Sequence, residues 1–430
     1  MNIKDFMICK EGSIKEAMKV MDKNRKYTVF VVDNDKLIGV VTDGDIRRSI
    51  FDGVDVNDNI LTITNTNPVL TNSDVYTNDN TMLIPRIDEN NKIIDIYNID
   101  NYTNIHRVLL IGGAGFLGSV LSRKLLDKGY VVRVLDNLMY GDQGIVDILD
   151  NDNFEFIKGD IRNLEVLMES IKDVNTVIHL AAIVGDPASS IYPKKTIEIN
   201  WMSTKLIADI CKYCQINRFI FASTCSVYGE SIGDNSLNEE SETNPVSLYA
   251  RMKLKSENTI KEISDENFSP TILRMGTLYG LSPRMRFDLV VNLLVIKGLI
   301  DYKYSIFGGD QYRGFCNIED AADAYISCIE CPLEIVKNKI FNISNENLKI
   351  IELGELIKEH IDNVNMIVDK SVLDKRNYSI DSSKFCNELK FDYNKKIIDF
   401  INDFKKCYKN YGDYNNPIYN NYKWLNGDCI

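Results

Sequence analysis

The run Arg107-Val108-Leu109-Leu110-Ile111 passes directly into Gly112-Gly113-Ala114-Gly115-Phe116-Leu117-Gly118, and helical spacing follows from Ser119 to Asp127. The turn reads G-x-G-x-x-G from Gly113 and G-x-x-G-x-x-G from Gly112. Glycines at these places suit a tight strand-to-helix turn that lets a pyrophosphate approach the backbone. The free N–H groups of the helix start then face that anion. Strand and helix patterns go on alternating downstream. Val131 to Leu135, Phe154 to Ile157, Thr176 to Leu180 and Arg218 to Ala222 are near-continuous apolar runs, as a parallel sheet covered on both faces demands. Leu164 to Ile171 is one of the helical segments between them. The alternation predicts an α/β chain built on a doubly wound parallel sheet.

The second strand ends in Asp136-Asn137, about 20 residues beyond the glycine turn, where an acid meets an adenosine ribose. A carboxylate there favours a free 2′-hydroxyl over a 2′-phosphate, which selects NAD over NADP. Asp160-Ile161, after the third strand, falls beside the adenine. Leu180-Ala181-Ala182, after the fourth, supplies small residues where the cofactor backbone passes. Gly112, Gly115, Phe116, Leu117 and Gly118 complete the expected dinucleotide site.

Tyr249-Ala250-Arg251-Met252-Lys253 places a phenol and an ammonium at i and i+4 on one helix face. A nearby ammonium favours phenolate and predicts a Tyr249 pKa below the usual value of about 10. Such a tyrosine can take a proton from a sugar hydroxyl while hydride leaves the same carbon for a nicotinamide. The order along the chain carries the weight: glycine turn, acid after the second strand, Ser223-Thr224-Cys225-Ser226 after the fifth, then Tyr-x-x-x-Lys.

Composition narrows the class. The 50 Lys+Arg against 62 Asp+Glu leave a net charge of −12, with no basic footprint for nucleic acid or anionic membrane. The most apolar stretch, Phe287 to Ile300, carries Asp288, Asn292 and Lys297, which a bilayer penalises. Met1 to Asp5 has no apolar signal core behind it. The 10 cysteines therefore fit a reducing, cytoplasmic setting. Cys211 with Cys214 and Cys328 with Cys331 have x-x spacing but sit on helical segments, and His106, His179 and His360 are scattered. No metal site is expected, and the cysteines read as small buried thiols.

The first hundred residues hold a weak internal repeat. Ser13 to Met21 is helical, Thr28 to Asp33 and Leu37 to Val41 form strands about Asn34-Asp35-Lys36, and Thr42-Asp43-Gly44-Asp45 caps a helix through Ile50. Leu83 to Asp88, Glu89 to Lys92 and Ile93 to Tyr97 replay strand, turn, strand. Val31-Val32-Asp33, Leu37-Ile38-Gly39-Val40-Val41 and the Thr42-x-x-Asp45 step resemble a CBS-domain pair, especially those at the N-terminus of some sugar-nucleotidyltransferases. The resemblance implies an adenine nucleotide held at Thr42 and Asp45. The second copy has no such step after Tyr97, and its leading helix, Thr71 to Asn80, is eroded. At most one nucleotide site is intact, and a structural or oligomerising role stands beside it.

From about 107 to 402 the chain resembles the extended short-chain dehydrogenase/reductases, the NAD-dependent nucleotide-sugar epimerases and dehydratases. The resemblance rests on the glycine turn, His179-Leu180-Ala181-Ala182, Val227-Tyr228-Gly229, Ser247 to Lys253, Leu278-Tyr279-Gly280 and Gly308 to Arg313. It implies that Thr224 bonds the reacting oxygen, Tyr249 is the acid/base and Lys253 binds the cofactor ribose. Arg313 and Arg376 correspond to clamps on the sugar-nucleotide diphosphate. Relatives commonly form homodimers through helices around Asn200 to Cys214 and Tyr249 to Glu262.

Two departures qualify the match. The 4,6-dehydratases place Asp-Glu after the catalytic Thr, where this chain has Cys225-Ser226, which disfavours 4,6-elimination. A thiol-based 3,5-epimerisation at Cys225 competes with plain packing of a small residue. Relatives also read Pro-Phe-x-His-Val after the first arginine, against Gly314-Phe315-Cys316-Asn317-Ile318 here. The expected architecture is a CBS-like α+β domain over 1–104, a Rossmann-type NAD-binding domain over 105–280, and a smaller substrate lobe and tail over 281–430. Met285 to Lys297, Asp320 to Ile329 and Ile351 to His360 are the lobe's expected helices, with Lys339 to Ile343 a strand. The leading reading is an NAD-dependent epimerase of a nucleoside-diphosphate sugar, acting at C4, in surface polysaccharide or glycan precursor synthesis. Its rivals are a 4-ketoreductase or dehydrogenase with the same triad, and a protein that senses adenine nucleotide or NAD.

Overall fold

The computed structural model describes every residue except 1–2, 25, 52, 69, 71–82, 99–105, 231–235, 266–267, 372–373, 375 and 428–430. Two compact units divide it, residues 1–105 and 106–430. The eroded helix expected over Thr71 to Asn80 lies outside the described residues.

In the first unit β1 (Met7–Cys9) pairs in parallel with β2 (Thr28–Asp33), which pairs antiparallel with β3 (Lys36–Thr42). Asn34 and Asp35 adopt φ of +50° and +65°, the left-handed pair that a two-residue hairpin turn needs. Alternate residues of β2 serve two cores. Val29 and Val31 pack with Ile14, Ala17 and Val41, while Phe30 and Val32 pack with Leu83 and Ile93. The latter two come from β4 (Leu83–Ile87) and β5 (Ile93–Asn98), the antiparallel hairpin of the second repeat.

The second unit opens with β6 (Arg107–Ile111), β7 (Val131–Asp136), β8 (Phe154–Lys158), β9 (Thr176–His179), β10 (Arg218–Thr224) and β11 (Ser269–Met275). The chain then leaves the sheet through β12 (Thr277–Tyr279), β13 (Lys303–Phe307) and β14 (Tyr312–Asn317). It returns with β15 (Lys339–Ile343) and departs again through β16 (Glu346–Lys349) and β17 (Asn365–Asp369). The seven-stranded sheet has the order β15-β11-β10-β9-β6-β7-β8, parallel throughout. Order reverses between β6 and β9, and at such a switch point the strand ends leave a crevice for a ligand. Successive residues serve opposite faces: Val108 and Leu110 join one core, Leu109 and Ile111 the other.

Two expectations about the C-terminal part are corrected. Lys339 to Ile343 is not a strand of the substrate lobe but the outermost strand of the main sheet, paired with β11. The helix expected over Met285 to Lys297 runs from Val290 to Ile300. It is buried almost all round, so no apolar-to-polar periodicity marks its start, and Arg286 and Asp288 form an ion pair in the loop before it. The Tyr/Asn-rich tail packs within the chain: Tyr411, Tyr414 and Tyr419 surround the ring of Phe287 at 5.5, 6.3 and 5.2 Å. Cys211 and Cys328 are buried in helices, while Cys214 and Cys331, at the helix ends, are half-buried. Among the described residues no helix is long and apolar enough to cross a membrane.

Candidate active site

At the switch point a cavity of about 310 Å³ opens above β6, β7, β9 and β10. The glycine turn forms its floor. Gly112 has φ of +89°, and a Cβ there would lie 2.6 Å from the backbone nitrogen of Ala181. A Cβ on Gly118 would lie 2.6 Å from Cα of Gly113, so the helix Phe116–Asp127 starts in direct contact with the turn. Its N-cap, Gly115, offers no side-chain bond, which leaves the first N–H groups for an anion.

All the residues expected to hold a dinucleotide line this cavity. Gly112, Gly115, Phe116, Leu117 and Gly118 come from the turn, and Asp136, Asn137, Asp160 and Ile161 from the ends of β7 and β8. Leu180, Ala181 and Ala182 follow β9. The Asp136 carboxylate accepts N–H bonds from Ala114 (3.0 Å) and Leu138 (2.8 Å), while burial pushes its pKa up. Asp160 is held by Arg162 through two 2.9 Å bonds, which draw its pKa down.

Thr224, Tyr249 and Lys253 converge on the same cavity. Thr224 ends β10 and accepts from the N–H of Ser226 at 3.1 Å, and its side chain is hydrogen-bonded to Tyr249. Ser247 caps the helix Leu248–Ile263 that carries Tyr249 and Lys253. Lys253 donates to the carbonyl of Ala222 at 2.6 Å and lies 4.7 Å over the ring of Phe221. The expectation that its ammonium lowers the Tyr249 pKa is not met. Burial pushes the phenol up, Asp186 adds to this, and Arg286 and the Thr224 bond oppose it. Burial also brings Lys253 itself down to about 7. Behind these groups the Arg274–Glu257 ion pair, 2.7 Å long and almost fully buried, is bonded to Ser223 and Tyr228.

Cys225 points away from the cavity. It is fully buried with Val227, Tyr228, Tyr378 and Ile380, donates to the Arg274 carbonyl at 3.2 Å, and burial pushes its thiol pKa far up. This is the packing role, not an acid or base. Ser226 does line the cavity, 3.3 Å from the Tyr378 hydroxyl. Arg313 and Arg376 lie beside the cavity and do not line it. Both are engaged by Asp374, Arg313 at 2.7 Å and Arg376 through bonds of 2.9 and 2.7 Å, and Arg376 also reaches Asp186 at 3.0 Å. In the other unit Thr42 and Asp45 satisfy each other: Thr42 donates from N and Oγ1 to the Asp45 carboxylate at 2.8 and 2.7 Å, and the Asp45 N–H returns to Thr42 Oγ1 at 3.3 Å.

The sequence reading missed Tyr140, Arg284, Arg286, Tyr378 and Asn421, which also line the cavity. Two arginines inside an otherwise apolar stretch are the one local signal. Arg284 is 3% exposed, stacks on Tyr140 at 4.9 Å, and has no hydrogen-bond partner for Nε or Nη2 among the described residues. The tight glycine turn, the uncapped helix start, the ribose-side acid and this unpaired guanidinium together fit a dinucleotide carrying a pyrophosphate.

The fold and site define a Rossmann-type dinucleotide-binding enzyme with a Thr, Tyr and Lys set in its cavity, and comparison with known proteins agrees. Residues 108–344, over half of the chain, match the model of the NAD dependent epimerase/dehydratase family, and residues 1–52 match that of the CBS domain. A putative UDP-glucose 4-epimerase of Methanocaldococcus jannaschii is 33% identical over 261 residues, 59% of this chain and 82% of that one. A dTDP-D-glucose 4,6-dehydratase of Dictyostelium discoideum is 31% identical over 240 residues, 51% of this chain and 55% of that protein. The solved UDP-glucuronic acid 4-epimerase of Bacillus cereus, in complex with UDP-glucuronic acid and NAD, is 28% identical. It superposes with a TM-score of 0.64 over 71% of this chain and 99% of that one. The chain belongs to the NAD-dependent epimerase/dehydratase family, joined to an N-terminal CBS domain, and NAD is its cofactor.

Proposed function

We propose that this protein is an NAD-dependent epimerase of a nucleoside-diphosphate sugar, inverting C4, in surface polysaccharide or glycan precursor synthesis. The observation that carries the reading is the meeting of Thr224, Tyr249 and Lys253 in the cavity that holds the glycine turn, with Cys225 and Ser226 standing where 4,6-elimination uses an Asp-Glu pair and Cys225 packed away from the cavity. The epimerase similarity of the Methanocaldococcus and Bacillus proteins supports it.

Bound NAD supplies the acceptor of hydride from the sugar carbon and its donor on return. Tyr249 takes the proton of the sugar hydroxyl and gives it back to the same oxygen once the keto sugar has turned over. Thr224 bonds that oxygen and, through its bond to Tyr249, favours the phenolate against burial. Lys253 spends one donor on Ala222 and keeps the others for the cofactor ribose. Arg313 and Arg376 bind the diphosphate after exchanging Asp374 for phosphate oxygens. Because hydride leaves and returns, turnover needs no net redox supply.

The test is proton NMR of the purified protein with a panel of nucleotide sugars and catalytic NAD. A new anomeric signal growing to a fixed ratio without NADH establishes the epimerase and names its sugar. Net NADH formation, or turnover of a 4-keto sugar only with added NADH, overturns it in favour of a dehydrogenase or ketoreductase.

The same reading includes a homodimer through the helices Ser203–Tyr213 and Leu248–Ile263. Met202 and Tyr213, 54% and 82% exposed, are the apolar groups such a contact covers. A monomer by light scattering rejects it.

A further inference from the structure

A buried guanidinium without a partner is costly, because the charge loses water and gains nothing in return. Arg284 comes close to that state: it stacks on Tyr140 at 4.9 Å, but its Nε and Nη2 have no hydrogen-bond partner among the described residues, and burial pulls its pKa down to about 10. Two carboxylates lie near enough to oppose that shift, and both are already engaged. Asp136 accepts from Ala114 and Leu138, while Asp288 accepts from Arg286 at 2.9 Å twice and from the N–H of Asn421 at 3.1 Å. The second guanidinium, Arg286, adds repulsion.

The position of Arg284 is fixed from the helix start. Ser282, two residues earlier, donates to the Phe116 carbonyl at 2.8 Å and lies 2.9 Å from the Ser119 hydroxyl. Arg284 therefore faces the cavity beside the same helix N-terminus that awaits an anion, but from the segment that follows β12.

Two more orphaned groups stand on this wall. The Tyr140 hydroxyl and Asn421 Oδ1 are buried, line the cavity and have no hydrogen-bond partner among the described residues. Asn421 is 2% exposed and belongs to the C-terminal tail. The tail is tied down around it: Phe287 N–H donates to the Tyr419 carbonyl at 2.8 Å, and Trp424 Nε1 to the Met139 carbonyl at 2.5 Å.

We propose that Arg284 binds the pyrophosphate of NAD opposite the glycine turn, and that Asn421 bonds the same dinucleotide from the C-terminal tail, so that the tail retains the cofactor. The proposal rests on NAD being the cofactor and adds a second, non-Rossmann wall to its site. An anion of that kind would accept from the Nε and Nη2 that no described residue engages, and charge-assisted bonds of this type are the strong ones.

The test is calorimetric titration of NAD into the NAD-free full-length protein and two variants. Arg284→Met is expected to weaken NAD binding by roughly ten- to a hundred-fold, the worth of one or two hydrogen bonds to a charged group. Its NAD-free melting temperature is expected to stay level or rise, since an unpaired buried charge has gone. Affinity within twofold of wild type overturns the assignment. So does a lowered melting temperature of the NAD-free variant, which makes Arg284 a structural residue. Asn421→Ala is expected to release NAD several-fold faster in stopped-flow fluorescence with stability kept, and unchanged release overturns the tail's part. If the wild type itself does not take up NAD, the cofactor assignment fails, a result distinct from equal binding by wild type and variant.

Discussion

Lys253 donates to the carbonyl of Ala222 at 2.6 Å, tying the helix Leu248–Ile263 to β10 two residues before Thr224. The bond places ammonium, phenol and hydroxyl within one cavity without needing the i, i+4 pair to touch. It also buries a lysine, and burial has a measurable signature in pH.

Lys253 falls from 10.5 to about 7 in the folded chain. Between those values the unfolded chain keeps the proton and the folded chain has released it, so stability rises with pH across that window. Below pH 7 the penalty is present in full. The difference in unfolding free energy between wild type and Lys253→Met is expected to move by a few kcal/mol in favour of wild type from pH 7 to 10.5. Chemical denaturation across that range checks it, and a flat difference curve refutes it.

Replacing Tyr249 by Phe removes the proton acceptor and leaves the ring. Turnover is expected to drop by about 10²- to 10⁴-fold, the usual worth of general acid–base catalysis. NAD-induced stabilisation should persist. Undiminished turnover would remove Tyr249 from the chemistry.

Glu257 neutralises Arg274 deep behind the site. Glu257→Leu leaves that guanidinium uncompensated and is expected to cost about 3–5 kcal/mol in urea denaturation. Adding Arg274→Met should recover part of the loss. If the double variant is as unstable as the sum of the singles, the pair is not coupled.

Asp374 occupies both arginines assigned to the diphosphate. Arg313→Met is expected to raise KM for the nucleotide sugar by roughly tenfold or more while leaving NAD affinity intact. Asp374→Asn is expected to act the other way, freeing the arginines at a cost in melting temperature. A raised KM in Asp374→Asn would show that the carboxylate positions the arginines instead of competing for them.

In the CBS unit, Asp45→Ala removes the carboxylate that accepts from Thr42 N and Oγ1 at the start of the helix Asp43–Phe51, one half of a reciprocal capping pair, and is expected to cost about 1 kcal/mol. If Thr42 and Asp45 hold an adenine nucleotide, AMP or ATP raises the melting temperature of wild type and not of this variant. Equal responses leave the pair as a cap alone.

What could be read from the sequence follows from how local each feature is. The glycine turn, Asp136 and the Tyr249–Lys253 spacing are set by backbone geometry over a few residues, and each lines the cavity. The other wall could not be read in this way. Tyr140, Arg284 and Asn421 come from three distant segments and meet only through tertiary packing. The direction of the Tyr249 pKa is hidden for a related reason: spacing reports which charge is near, but burial, which no motif records, decides the direction. The helix Val290–Ile300 starts late because its apolar residues surround it, and the strand Lys339–Ile343 looked the same whether it joined the lobe or the sheet.

The return of β15 to the flank of β11 has a consequence for assembly of the chain. All seven residues of β11 are buried. A polypeptide cut after Gly280 would leave their bare N–H and C=O groups as a template for strands of neighbouring molecules. In the whole unit that edge is closed by five residues, beginning with Lys339, whose ammonium is paired with Glu388 at 2.5 Å. The late return of the chain to the sheet thus guards it against aggregation, and a Rossmann portion ending at Gly280 would be expressed or grafted with that edge open.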